Sequence, residues 1–134
     1  MPDLIQIVRP LVEAWEQGDF TPQPGVTTED LVLTGLTGDG RERYQGVEEI
    51  AAYMRRIFDQ FSDYRIDVAA ITEIDDSHVL LEGHQYATGR SAAVPTVDTL
   101  FIVFAIRDGR VCGLHFHARR HEALAAAGLA IPPG

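Results

Sequence analysis

The sequence predicts an α+β domain in which helices pack on one face of an antiparallel sheet. Three observations carry this prediction. Two amphipathic helical stripes occupy the first half of the chain, and four strand-like segments separated by turn residues occupy the second. The strands follow one another without intervening helices, which is the order expected when helices are segregated to one face of a sheet.

The first helix opens at Asp3, a residue suited to N-capping, and carries Leu4, Val8, Leu11, Val12 and Trp15 at helical spacing; Gly18-Asp19 supplies the stop. Pro10 falls inside this stripe. A proline there forfeits a hydrogen bond and clashes with the preceding turn, so a kink or a late start is expected. Thr21 to Thr28 reads as a loop. Leu31 to Thr34 and Arg43-Tyr44 read as short strands flanking Gly35 to Gly40. The glycines of that connection are turn formers, because no Lys-Ser/Thr pair or strand-to-helix frame supports phosphate binding.

After Gly46, the residues Val47, Ile50, Ala51, Met54, Ile57, Phe58 and Phe61 form one helical stripe, with Arg55, Arg56 and Asp59 outside it. From Tyr64 the period changes to that of strands: Tyr64 to Ile74, Val79 to Thr88, Val97 to Arg107 and Val111 to Arg119. Asp75-Asp76-Ser77, Gly89 to Pro95 and Asp108-Gly109 break them, giving a meander. His121 to Ala127, ended by Gly128, reads as a short terminal helix, with residues 129–134 as a frayed tail.

At 134 residues, 46% hydrophobic and 23% charged, the chain has the size and composition of one soluble domain spanning 1–134. Eleven basic against twenty acidic residues give a formal charge of −9, which argues against nucleic acid and anionic membranes as partners. The single cysteine, Cys112, cannot form an internal disulfide and reads as a small buried hydrophobe; with no secretory leader in evidence, a cytoplasmic location is expected. No apolar run is long enough to span a bilayer. The longest, Leu100 to Ile106, is apolar on both faces, whereas a half-solvated strand alternates. A second subunit is the economical cover for its outer face, so a homodimer through the sheet is expected.

The order of elements closes at Arg107-Asp108-Gly109-Arg110-Val111 and continues into Glu122-Ala123-Leu124-Ala125-Ala126-Ala127-Gly128-Leu129. Together with Tyr44-Gln45-Gly46-Val47-Glu48-Glu49-Ile50 and Tyr53-Met54, it resembles the SnoaL-like branch of the nuclear transport factor 2-like superfamily over nearly the whole chain. The resemblance implies a cone-shaped, curved antiparallel sheet with an open wide end, enclosing an apolar pocket lined by the two long helices and the concave face of the sheet. It also implies a small-molecule-binding role. One version is a cofactor-independent isomerase, cyclase or hydrolase acting on an apolar polyketide- or terpenoid-like compound. The other is a non-catalytic ligand-binding or accessory dimeric module.

Ketosteroid isomerases in that superfamily place a tyrosine, an aspartate base and a protonated acid at three positions. Registration on Gly18-Asp19, Gly46 and Asp108-Gly109 puts Leu11, Gly35 and Ile102 there. The acid that epoxide hydrolases and SnoaL-type cyclases keep in the last strand falls near Phe116. None of these residues transfers a proton. The same registration turns Leu114, Phe116 and Ala118 inward and His115, His117 and Arg119 outward.

The candidate catalytic residues are therefore Glu82, His84 and Asp98. Glu82, His84 and Tyr86 share one face of a strand, where a carboxylate beside an imidazole suits acid–base work; an exposed or subunit-facing polar face is the alternative. Asp98 has the parity of Leu100 and Ile102, so it is either an acid at the pocket mouth or a solvated strand start. Trp15, Tyr53, Tyr86, Phe104 and Phe116 are the candidate pocket wall. His115 and His117 stand about 7 Å apart on one strand face, a metal-site spacing that lacks further ligands unless His84, Asp98 or Glu82 supply them. A polar patch at the subunit contact or pocket rim is the other reading. No cofactor is implied.

Overall fold

The structure, a computed structural model, describes residues 3–19, 23, 25–35, 42–89 and 96–128. In chain order the elements are α1 (Leu4–Glu16), β1 (Thr27–Thr34), β2 (Arg43–Gln45), α2 (Val47–Phe58), β3 (Phe61–Asp75), β4 (His78–Gly89), β5 (Thr96–Arg107), β6 (Arg110–His117) and α3 (Arg120–Ala126). The strands form one sheet in the order β2-β1-β6-β5-β4-β3. All neighbours are antiparallel except β1 and β6, which run parallel, so the sheet is mixed rather than a pure meander.

Local chemistry explains most boundaries. Asp3 accepts a 3.0 Å hydrogen bond from the Ile5 amide and caps α1, while Gly18, at φ +86, lets the chain leave the helix as Asp19 N–H donates to the Ala14 carbonyl. The helix runs from Leu4 through Pro10, so the late start is not taken. In α2, Glu48 and Glu49 sit in the first turn and Arg55 and Arg56 in the last, each sign matching the helix dipole. Asp108 and Gly109, at φ +54 and +75, form the two-residue β5–β6 turn that their sequence predicts.

Three expected boundaries move. β1 begins at Thr27, inside the segment expected to be a loop; α2 stops at Phe58, short of Phe61, which opens β3; and β6 ends at His117. Residues 36–41, most of the segment from Gly89 to Pro95 and the tail at 129–134 lie outside the described residues.

The core lies between the helices and one face of the sheet. Val8, Leu11, Val12 and Trp15 of α1 and Ile50 and Met54 of α2 pack with Leu31, Leu33, Leu81, Ile102, Phe104, Leu114 and Phe116 from the strands. The ladder gives the reason: Leu81 pairs with Ile102 and Ile102 with Phe116, so one row of apolar side chains faces the helices.

The outer face has its own cover. Leu80 and Val103 are buried beneath Ala123 and Leu124 of α3, with Phe101 and Ala127 packed alongside. The two-sided apolar character of β5 is thus met in large part within the chain. Among the described residues only Ile74 and Val97 are large hydrophobic side chains left exposed. Cys112 is half-buried, and burial pushes its thiol pKa upward, in keeping with a packing role.

Candidate functional site

Where β3 begins, β4 ends, β5 begins and β6 ends, the sheet and the last turn of α2 leave a cavity of about 400 Å³. Its apolar wall comes from Ile57 and Phe58 of α2, Phe61 of β3, Leu100 of β5 and Phe116 of β6. The helix ends at Phe58 and the strand starts at Phe61, so this tight α2–β3 corner brings Phe58 and Phe61 against Tyr64. The ring centroids lie 4.7 Å (Phe58–Tyr64) and 5.8 Å (Phe61–Tyr64) apart, with planes inclined by 53° and 39°.

Polar groups enter by strand register. Tyr64 pairs with Ala87, and Gln85 pairs with Ile66 on one side and Asp98 on the other, which turns Tyr64, Gln85 and Asp98 to the same face. The Tyr64 hydroxyl donates a 2.6 Å hydrogen bond to Gln85 Oε1. Burial pushes the Tyr64 pKa far above the ordinary phenol value, because a phenolate there would lose its hydration, so the hydroxyl keeps its proton. Asp98 lines the mouth and is itself exposed.

At the inner edge stand Gly35, His117 and Ala118. Burial lowers the His117 pKa, against a smaller opposing pull from Glu122, and among the described residues its buried Nε2 has no hydrogen-bond partner. Gly35 has φ +74, and a Cβ built on it would lie 2.0 Å from the Phe116 carbonyl oxygen and 3.2 Å from the His117 ring. The end of β1 therefore cannot carry a side chain. Beneath the cavity, Trp15 stacks on Phe104 at 5.7 Å and meets Phe116 at 5.9 Å, which fixes the floor.

The sequence profile of the SnoaL-like domain matches residues 8–114, most of the chain. The chain belongs to the SnoaL-like family. Among solved structures it is similar to a nuclear transport factor 2-like protein of unknown function from Burkholderia pseudomallei, at 18% identity and TM-score 0.74, covering 94% of this chain and 98% of that one. It is also similar to an LEH-like epoxide hydrolase of M. tuberculosis, at 20% identity and TM-score 0.68 over 92% and 87% of the two chains. A third is a SnoaL-like polyketide cyclase, so described provisionally, from Shewanella putrefaciens, at 14% identity and TM-score 0.70 over 87% and 90%. At these identities the likeness establishes the fold. Comparison with curated proteins gives no match.

Within this SnoaL-like domain the sequence-derived candidates separate. Of the expected catalytic trio, only Asp98 reaches the cavity. Glu82 and His84 alternate with Leu81, Gly83 and Gln85 and so occupy the opposite face, where Glu82 lies 3.8 Å from Arg120 and His84 is exposed. Tyr86 shares that outer face, with the Arg65 guanidinium 4.7 Å from its ring centre. The three do share one parity, but it points them away from the pocket.

Of the other candidate wall residues, Phe116 lines the cavity, while Trp15 and Phe104 are core beneath it. Tyr53 stacks on Tyr44 with centroids 4.0 Å apart and donates a hydrogen bond to Glu42, away from the cavity. Leu11 and Ile102, which the registration puts at isomerase positions, are buried in the core and do not line the cavity, and Gly35 lines it with no space for an acid. Leu114 and Phe116 face inward as registered, whereas His117, registered as outward, lines the cavity.

His115 is buried on the outer face, with Nδ1 2.9 Å from Thr34 Oγ1; burial, then the neighbouring His117, depresses its pKa to about 4. Among the described residues no group of three or more His, Cys, Asp or Glu side chains is placed to hold a metal ion. No helix among them is long and apolar enough to cross a membrane. Sequence reasoning missed Phe58, Phe61, Tyr64 and Gln85 as site residues. For Gln85 the signal was present, because it shares the parity of Leu81 and Ala87. For the aromatic residues it was not, because their role depends on where α2 stops.

Proposed function

We propose that this SnoaL-like domain binds a small, largely apolar organic molecule in the cavity between the end of α2 and the concave face of the sheet. The observation that carries the reading is the composition of that cavity: an aromatic and aliphatic wall of ligand-sized volume, with the Tyr64–Gln85 hydrogen bond and the Asp98 carboxylate as its few convergent polar groups. The volume accommodates a compound of one to three rings, the size class of small polyketide- or terpenoid-like molecules. The neighbouring structures named for an epoxide hydrolase and a polyketide cyclase are in keeping with a ligand-binding or isomerase-type role.

A catalytic version of this reading assigns proton transfer to Asp98, the one sequence-derived acid at the cavity, with the protonated Tyr64 hydroxyl as a fixed dipole beside the substrate. It needs no cofactor. The Gly35 position, which registration equates with the isomerase aspartate, cannot assist, because its Cβ would collide with the Phe116 carbonyl. A role as a ligand-binding module requires only the cavity.

The reading is tested by calorimetric titration of 2-naphthol, a two-ring phenol, into the wild type and into Ala87→Trp, which places an indole at the cavity wall. Saturable binding that is lost in the folded variant supports the proposal. Binding of equal strength in both proteins refutes it.

A further inference from the structure

The charge pattern of the cavity goes further than its size. Among the described lining residues Asp98 carries the only formal charge, and no lysine or arginine is found in that wall. The chain as a whole carries −9, a net charge of the same sign as Asp98. Phe58, Phe61 and Tyr64 line the same cavity as this carboxylate, the two phenylalanine rings tilted from the tyrosine ring by 53° and 39°. Aromatic faces attract cations through their quadrupole, and a carboxylate at the rim of such a wall adds a Coulomb term of the same sense.

The remaining polar groups do not counter this preference. The Tyr64 proton is committed to Gln85 Oε1, and burial keeps the His117 ring neutral near pH 7. An anion entering here would meet a carboxylate and no basic partner among the described lining residues.

We infer that the cavity selects an apolar molecule bearing a cationic nitrogen, a tertiary amine or quaternary ammonium, seated against Phe58, Phe61 and Tyr64 with Asp98 at the rim. This rests on the ligand-site reading above and adds the ligand's charge to it. The nitrogen lies toward the mouth, where its residual hydration is retained, and the hydrocarbon part lies toward Leu100 and Phe116.

The test uses two probes of one shape, (4-hydroxyphenyl)trimethylammonium and 4-tert-butylphenol, which differ by a central nitrogen cation in place of a carbon. Titration calorimetry at low ionic strength is run on the wild type, Asp98→Asn, Phe61→Leu and Ala87→Trp. The inference predicts that the wild type binds the cation at least about tenfold more tightly than the neutral probe. Asp98→Asn and Phe61→Leu each shrink that ratio several-fold. A neutral probe that binds as tightly as the cation, with both lost in Ala87→Trp, overturns the charge preference and leaves the ligand site standing. If neither probe binds, or both bind Ala87→Trp unchanged, the ligand-site reading fails and this inference with it.

Discussion

Tyr64 of β3 and Gln85 of β4 are joined by a 2.6 Å hydrogen bond at the cavity wall, the hydroxyl donating to the side-chain carbonyl. Tyr64 and Gln85 stand opposite Ala87 and Ile66 respectively on neighbouring strands, so the bond runs diagonally across the ladder and orients both polar groups at once. A double-mutant cycle of Tyr64→Phe and Gln85→Met, followed by urea unfolding, is expected to give a coupling energy of about 1 kcal/mol. Additive single-mutant effects would show that the bond does not organise the wall.

His115 gives the fold a pH dependence of defined sign. Its folded pKa of about 4 lies below the ordinary value of 6.5, because burial disfavours the charged ring. Between these two values the unfolded chain binds a proton that the folded one does not, so stability falls as pH drops through that window and the loss is complete near pH 4. The full effect of this one group is about 3 kcal/mol. His117, also depressed, acts in the same direction. In His115→Gln the slope of unfolding free energy against pH between about 6.5 and about 4.5 should flatten; an unchanged slope would contradict the assignment.

Gly35 and Gly46 both adopt positive φ, yet they predict different costs. At Gly46 a Cβ meets nothing within 4 Å, whereas at Gly35 it meets the Phe116 carbonyl oxygen. Gly46→Ala should lose about 1 kcal/mol through backbone strain alone. Gly35→Ala should lose more than about 2 kcal/mol and displace the end of β6, which a comparison of melting temperatures resolves.

Leu124 tests the cover on the outer face. It is 3% exposed against Leu80 and Val103, and its truncation to alanine should cost about 2–4 kcal/mol. A loss under about 0.5 kcal/mol would mean that α3 is not what shields β5.

Much of this architecture is written in local periodicity. The 3.6-residue stripes of α1 and α2, the parity of β4 and β5 and the Asp108-Gly109 turn all depend on neighbours in sequence, and each appears in the structure, although α2 ends before Phe61 and β6 before Arg119. The pairing of β1 beside β6 was not legible in the same way. It joins Thr34 to His115 through a parallel ladder, and long-range pairing leaves no periodic signature in either segment. The cover that α3 lays over Leu80 and Val103 was hidden for a similar reason: a seven-residue helix rich in alanine shows composition but not its docking partner.

The site was half legible. Phe116 and Asp98 followed from strand parity. Glu82 and His84 were drawn in by their chemistry, an acid beside an imidazole, although the parity that makes them neighbours also turns them away from the apolar row of Leu81. Phe58, Phe61 and Tyr64 depended on a corner two residues long, and a shift of three residues at the end of a helix is beyond what an apolar stripe specifies.

The central claim is that the cavity bounded by Phe58, Phe61, Tyr64, Gln85, Asp98 and Leu100 is the ligand site. Amide chemical-shift mapping by NMR during titration with 2-naphthol tests it most directly. The account predicts saturable shifts concentrated at those residues and at Phe116. Shifts concentrated instead around Glu82, His84 and Tyr86 on the outer face, with the cavity residues unmoved, would contradict it.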